Sequence, residues 1–372
     1  MASVTLDYVS IKGFKSIKLI NELRLMPINL LIGANGSGKS NFINVFSFLH
    51  AVREGTLQDY VRRSGGAEQL LHYGSKVSSE IKFEISFNDE VNKYRLKLEP
   101  TDDDSLFPAN ESASYWEKMN YSSSLDRHLA SRENGKEAGI SNPNIERIGG
   151  WVRERLGGWR LYHVHDTSSS SAMRKTAQVN DNQYLRSNGS NLPAFLYFLK
   201  EKHPDSYRLI SGAIRRVAPY FEDFALEPDR LNEEMIRLEW RHKGSDQYFG
   251  PSSLSDGTLR YIALATLLLQ PAELRPSVIL VDEPELGLHP AAIEMLASLV
   301  RQASTSSQVI LSTQSSLLLD HVSPEHVLVA ERESGATRLH RLDPNRLEEW
   351  LEDYSLGQLW EKNELGGRPG GE

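Results

Sequence analysis

The chain reads as an α/β fold, a phosphate-binding core interrupted by a long insertion. Three observations predict it. Gly33-Ala34-Asn35-Gly36-Ser37-Gly38-Lys39-Ser40 fits G-x-x-x-x-G-K-[ST] and lies between a strand pattern and a helix pattern. Val278–Val281 and Gln308–Leu311 are short, mostly apolar runs of the kind fully buried parallel strands show. The first of these runs ends in the carboxylate pair Asp282-Glu283, with Pro284 stopping the strand.

Taken in order, Val9–Ile11 and Ile17–Leu19 read as strands, and Ile28–Ile32 as the buried strand feeding the glycine loop. Asn41–Leu49 reads as the helix leaving it. Ile81, Phe83, Ile85 and Phe87 alternate with polar residues, as do Tyr94, Leu96 and Leu98. With Asn88-Asp89-Glu90 between them they predict an antiparallel hairpin with one buried face. Composition shifts after Pro100, and Thr101–Asn144, rich in Ser, Asn, Asp and Glu, predicts a loop-rich, partly mobile segment. Leu161–His165 reads as a strand. Leu192–Phe221 reads as two helices broken near His203-Pro204-Asp205, and Ile236, Leu238 and Trp240 alternate as a strand. From Leu254 the pattern is helix, strand, helix, strand. The segmentation predicted is residues 1–99 with the glycine loop, an inserted and mainly helical lobe over 100–243, a second core segment over 244–345, and a C-terminal helix and tail over 346–372. No segment sustains the heptads that a long coiled coil needs.

The chemistry follows from residue type and spacing. Small residues let successive backbone N–H groups converge on phosphate oxygens, Lys39 reaches the β/γ-phosphates, and Ser40 can ligate Mg²⁺. An apolar strand ending in two carboxylates suits Mg-nucleotide hydrolysis: Asp282 for the Mg²⁺ shell, and Glu283 to orient and deprotonate water. Leu254-Ser255-Asp256-Gly257-Thr258 opens the helix Leu259–Leu269. Ser255 is a good N-cap and Gly257 permits close backbone approach.

Phosphate loop, Leu-Ser-x-Gly and an apolar strand with Asp-Glu, in that order, resemble an ABC-type ATPase. Gly13-Phe14-Lys15-Ser16, Leu254–Arg260 and Asp282-Glu283-Pro284-Glu285-Leu286-Gly287-Leu288-His289-Pro290 narrow the resemblance to the SMC/RecF/OLD-like ATPases, without a long coiled coil or nuclease domain. Tyr162–Ser168, Leu185–Leu192 and Trp350–Gly357 extend it over nearly the whole chain. The resemblance implies a P-loop NTPase of ABC type with an antiparallel β subdomain and the inserted lobe. It implies ATP and Mg²⁺ as ligands, with Lys15, Gly33, Asn35, Gly36, Ser37, Gly38, Lys39, Ser40 and Asn41 on the nucleotide, and Ser40 and Asp282 on the metal. Glu283, Gln314 and Lys39 are the catalytic set. Two subunits pack head to tail, so that Ser255 and Gly257 act in trans on the γ-phosphate, and Glu285–His289 faces the partner subunit. Gln314 stands where the family often has His; its amide can donate to a phosphate but carries no positive charge. Gln69 is a candidate for the sensor glutamine that follows the phosphate loop, set against a plain helix residue.

Bulk properties narrow the classes. The chain has 372 residues, a net charge of −8 and no cysteine. Disulfides, Cys-ligated metal and thiol catalysis are excluded, and a uniformly basic nucleic-acid coat is disfavoured. Met1–Tyr8 has no signal-peptide core, and the run Tyr261–Leu269 is too short to span a bilayer; a cytoplasmic protein with no membrane partner is expected. His163, His165 and Asp166 are too few for a metal site and read better as a structural strand. Asp102-Asp103-Asp104 reads better as a solvated loop than as a nuclease centre. Arg147, Arg153, Arg155 and Arg160 with Trp151 and Trp159 are the best local nucleic-acid candidate, weighed against a helix with its tryptophans in the core. Gly366–Gly371 reads as a mobile tail. The function expected is an ATP-driven homodimeric switch in DNA maintenance or antiphage defence. It would control a separate effector such as a nuclease or toxin, with DNA as a further partner. A stand-alone metal-dependent nuclease and a transporter's nucleotide-binding subunit are the alternatives.

Overall fold

A computed structural model describes residues 5–129 and 135–367. The chain divides into two compact units: Met1–Trp159 with Pro324–Trp350 and Lys362–Glu372, and Arg160–Ser323 with Leu351–Glu361. This division runs along different lines from the four sequence segments, because the chain leaves the first unit after Trp159 and returns to it at Pro324.

In the first unit, β1 (Leu6–Phe14) and β2 (Ile17–Arg24) form a hairpin, and β3 (Ile28–Ile32) is buried at every position. Helix α1 (Lys39–Glu54) follows the glycine loop. It buries Phe42, Val45, Phe46, Phe48 and Leu49, and Gly55, in left-handed conformation, ends it. Short helices α2 (Leu57–Arg63) and α3 (Ala67–Leu70) come next. Then β4 (Ile81–Phe87) and β5 (Asn92–Pro100) make the expected hairpin. Its turn puts Asn88, Asp89 and Glu90 at φ 60, 56 and 65, and the Asp7 carboxylate accepts from the Asp89 and Glu90 N–H groups at 3.2 and 2.8 Å. Phe14, Phe48 and Phe83 pack ring on ring between this sheet and α1.

Two pieces of the polar stretch after Pro100 are strand rather than loop, and the described residues over 100–243 hold strands as well as helices rather than being mainly helical. Strands β6 (Leu106–Tyr115) and β7 (Leu125–His128) extend the antiparallel sheet to the order β2-β1-β4-β5-β6-β7. Serine and asparagine on an outer strand are tolerated because β5 supplies the ladder. Glu111 in β6 is fully buried, and its carboxylate takes hydrogen bonds from Tyr94 Oη, Gly139 N and Ile140 N at 2.8, 2.6 and 2.9 Å. Burial pushes its pKa up despite these donors. Helix α4 (Arg147–Gly157) buries Val152 and Leu156. Trp159 packs on Phe46 and Phe87, and the Arg155 guanidinium lies over Trp151. Trp159 therefore serves the core, while Trp151 is half-buried, edge-on to Phe87.

Strand β8 (Trp159–Tyr162) leads into the second unit and ends three residues earlier than the sequence pattern suggests. A small three-stranded sheet contains β9 (Ala177–Gln178), β11 (Pro228–Asp229) and β12 (Asn232–Ile236), and another contains β10 (Phe221–Phe224), β13 (Trp240–His242) and β14 (Tyr248–Phe249). The single strand expected through Ile236, Leu238 and Trp240 is thus split between two sheets, although all three side chains are buried. Helices α5 (Leu192–Lys202) and α6 (Pro204–Val217) break at His203, as Pro204 requires. Helix α7 (Asp256–Leu269) is buried from Leu259 onward. Strand β15 (Val278–Asp282), helix α8 (Pro290–Ala303), strand β16 (Gln308–Ser312) and helix α9 (Ser316–Leu319) follow, with β15 and β16 parallel from Val278↔Gln308 to Asp282↔Ser312.

On its return to the first unit the chain forms β17 (Val327–Glu333), parallel to β3, and β18 (Ala336–Arg341), antiparallel to β17. Helix α10 (Pro344–Asp353) and helix α11 (Leu356–Glu361) follow. Gly357 of α11 lies so close to α9 that a Cβ there would come within 2.4 Å of Ser316 O, and its N–H donates to Asp320 Oδ1 at 2.6 Å. Among the described residues no helix is long and apolar enough to cross a membrane.

Candidate functional site

The first unit carries the phosphate loop. Gly33, Gly36 and Gly38 take φ 149, 80 and 104, a region that favours glycine. The reasons differ. A Cβ on Gly33 would sit 2.3 Å from Ala330 O, and one on Gly38 only 1.9 Å from Thr337 Oγ1, whereas one on Gly36 would meet nothing within 4 Å. The apex of the loop therefore borders open space while its base is clamped. Helix α1 starts at Lys39, and its N-cap Gly38 makes no side-chain cap. The helix dipole at this end favours an anion. Lys39 Nζ donates to Gly33 O at 2.7 Å and Ala34 O at 3.1 Å, which holds the ammonium across the loop.

Beneath the loop lies a hydroxyl network that sequence reasoning missed. Thr337 of β18 is buried, and its Oγ1 donates to Ser37 O at 2.9 Å and lies 2.7 Å from Ser16 Oγ. The Thr337 N–H donates to Ser16 O at 2.7 Å, and Asn41 Nδ2 donates to Ser16 Oγ at 2.6 Å. Gly13-Phe14-Lys15-Ser16 thus meets the loop through Ser16. Gly13-Phe14-Lys15-Ser16 stood out in the sequence only as text of the family resemblance, and nothing local in the sequence points to Thr337. Lys15 takes φ 49, and burial lowers its pKa. Gly367 also returns here: its carbonyl accepts from the Ala34 N–H, and its own N–H donates to Glu331 Oε1 at 2.9 Å. Of the tail expected to be mobile, Gly367 is held by these two bonds; the residues after it, like Met1–Val4, lie outside the described residues.

The second unit brings together the carboxylates and the residues after β16. Ser312 Oγ donates to Asp282 Oδ1, and Gln314 Nε2 donates to Glu283 Oε1. Glu283 sits at φ 40, with its N–H on Ser312 O at 2.9 Å. Glu285 is the further member. Its Oε1 accepts from Thr313 Oγ1 at 2.6 Å and from Gln314 N at 3.1 Å, and its Oε2 is buried without a partner. Burial pushes this carboxyl up, and the nearby charge of Glu283 adds to the effect. The strand-end pair and Gln314 therefore form one hydrogen-bonded set, with Glu285 fixing the Gln314 backbone.

Helix α7 also starts in this unit. Ser255 Oγ accepts from Thr258 N at 3.1 Å. Gly257 is required by a close approach, since a Cβ there would lie 2.3 Å from Gly287 O. Arg260, buried, donates from Nε to Val164 O at 3.0 Å and from Nη2 to His165 O at 2.7 Å. The carbonyls of Val164 and His165 thus anchor a loop. Burial lowers the His163 pKa, and the neighbouring His165 does so further.

The weaker candidates have the following surroundings. Asp104 Oδ1 accepts from Glu68 N at 2.9 Å at the start of α3, and Asp103 pairs with Lys136 at 2.5 Å. Gln69 is an exposed residue of α3. Among the described residues no group of three or more His, Asp or Glu side chains is placed to hold a metal ion.

Comparison with known proteins gives concordant results. The model of the AAA_21 family, described as "AAA domain, putative AbiEii toxin, Type IV TA system", matches residues 28–320. Structural maintenance of chromosomes protein 3 of Arabidopsis thaliana is 32% identical over 186 residues, covering 45% of this chain and 15% of that protein. The chain therefore spans only a small part of that relative. Among solved structures, an Smc head bound to the C-winged helix domain of ScpA superposes with a TM-score of 0.59 at 18% identity, covering 92% of this chain and 99% of that one. The Smc head of Pyrococcus furiosus with an extended coiled coil, bound to the C-terminal domain of ScpA, gives 0.55 at 17% identity, covering 94% and 99%. These likenesses establish the fold of an SMC-like ABC-type ATPase.

Proposed function

This chain belongs to the AAA_21 family of AAA-domain proteins, and from that premise we propose that it binds and hydrolyses ATP as a homodimer closed around Mg·ATP. One observation carries the reading: a phosphate loop with an open apex, a helix that starts at its end on a glycine N-cap, and a lysine laid across it. The buried, unpartnered Ser37 Oγ adds a polar group for which a phosphate would be a partner. Hydroxyl and carboxylate oxygens are the donors Mg²⁺ prefers, so Ser40 and Asp282 fit that ion. When bound, Mg²⁺ neutralises charge on the β- and γ-phosphate oxygens.

The chain's own groups do the rest. The amides of Gly36–Ser40 and Lys39 hold the phosphates, with Lys15, Gly33, Asn35 and Asn41 around them. Glu283 orients the attacking water and takes its proton. Gln314, donating to Glu283 through its amide, senses the γ-phosphate. Ser255 and Gly257 complete the site of the second subunit, so that ATP joins the dimer and hydrolysis releases it. The toxin–antitoxin wording of the family description and the SMC relative support a cytoplasmic switch in defence or DNA maintenance. Such a switch acts on a separate nuclease or toxin, with DNA as a further partner. Replacing Glu283 by Gln keeps the oxygen that Gln314 contacts but removes the base. The variant should bind ATP, lose turnover and accumulate an ATP-bound dimer; unchanged hydrolysis would overturn the assignment of Glu283.

A further inference from the structure

Tyr73 is an exposed aromatic at the phosphate loop with no task in the reading above. It is 57% exposed, and its backbone takes φ 55, an outlier for a bulky side chain. Its position is nonetheless fixed. The phenol donates to Gly335 O at 2.8 Å and accepts from Arg332 Nη2 at 3.3 Å. The same guanidinium donates through Nη1 to Gly36 O at 3.3 Å, at the apex of the loop. The preceding residue is tied to the Gly13–Ser16 turn: the His72 N–H donates to Gly13 O at 2.9 Å, and Nδ1 lies 2.8 Å from Lys15 O. The His72 ring meets the Tyr73 ring edge-on, with centroids 4.6 Å apart. An aromatic ring is thus held rigid, in a disfavoured backbone conformation, and left open to solvent. Arg332 links it to the open side of the loop. Strain kept at such a place is a pointer to a ligand.

We propose that Tyr73 is the platform on which the base of the bound nucleoside triphosphate stacks, with Arg332 fixing its distance from the phosphate loop. The proposal rests on the nucleotide reading above and adds to it a subsite for a planar heteroaromatic base. A base lying flat on the ring gains stacking that inorganic phosphates cannot. Tyr73 is therefore a specificity residue: it favours nucleotides over bare polyphosphate and leaves phosphate capture to Lys39.

The test is equilibrium binding to the full chain of two probes, a non-hydrolysable ATP analogue with Mg²⁺ and inorganic tripolyphosphate with Mg²⁺. Tyr73→Ala should weaken the ATP analogue roughly tenfold while tripolyphosphate stays within about twofold. Tyr73→Phe, which keeps the ring, should retain most of the affinity for the analogue. Tyr73→Asn, a residue at ease at positive φ, removes the ring without straining the fold and should repeat the alanine result. Lys39→Ala should weaken both probes. Equal loss of both probes in the Tyr73 variants, or unchanged affinity for the analogue, would overturn the platform while leaving the phosphate site standing. A wild-type chain that binds neither probe would overturn the nucleotide reading and the platform with it.

Discussion

Replacing Gly38 by alanine tests how the phosphate loop is clamped. At φ 104 an L-residue is strained by about 1–2 kcal/mol. The new Cβ would fall 1.9 Å from Thr337 Oγ1, 2.7 Å from its Cγ2 and 2.8 Å from its Cβ, so Thr337 must be displaced. Overpacking of that kind costs about 1–3 kcal/mol, for a sum of roughly 2–5 kcal/mol. Displacing Thr337 also breaks its bonds to Ser16 and Ser37, so triphosphate affinity should fall with stability. Thr337→Ala alone removes two hydrogen bonds of about 1 kcal/mol each. The two effects should not add. With Thr337 shortened, only its Cβ still crowds the introduced methyl group, and the double variant should recover about 1–2 kcal/mol relative to the sum. Urea midpoints of the wild type, both single variants and the double variant provide the cycle. Strict additivity, or a neutral Gly38→Ala, would refute the clamp.

Gly257→Ala places a Cβ 2.3 Å from Gly287 O; it should destabilise the chain by about 1–3 kcal/mol and impair ATP-driven association, read by thermal melting and by mass in solution. The raised carboxyl of Glu285 gives a pH signature, because burial makes the folded chain hold that proton longer than the unfolded one. Its contribution to stability is complete below the unfolded carboxylate pKa of about 4.3 and is lost as pH rises through the raised folded value. Melting temperatures between about pH 4 and 7 should therefore vary less in Glu285→Gln than in the wild type, and identical profiles would contradict the buried-acid account.

Much of the fold was legible because local signals coincided with tertiary ones. The strand Ile28–Ile32, the helix after the loop, the hairpin around Asn88–Glu90 and the parallel pair β15–β16 each carry their own periodicity. Leu106–Tyr115 and Leu125–His128 were missed because their polar residues sit on outer strands whose pairing comes from β5 and β6 in turn, and composition does not record a ladder. Candidate residues within one motif, such as Lys39 and Asp282-Glu283, stand out by spacing alone. Thr337 was not: it reaches Ser37 across 300 positions, and a lone threonine in a strand gives no local signal. Glu285 stood in the motif text, but its grip on Thr313 and Gln314 depends on two strand ends lying side by side. Tyr73 is marked only by a backbone angle that no sequence shows.

The most direct measurement is the mass of the full chain in solution with and without a non-hydrolysable ATP analogue and Mg²⁺, repeated with Lys39→Ala. The account predicts a shift from monomer to dimer on adding the analogue, abolished when Lys39 is replaced. A chain whose mass ignores the analogue, or a Lys39→Ala variant that dimerises as well as the wild type, would contradict it.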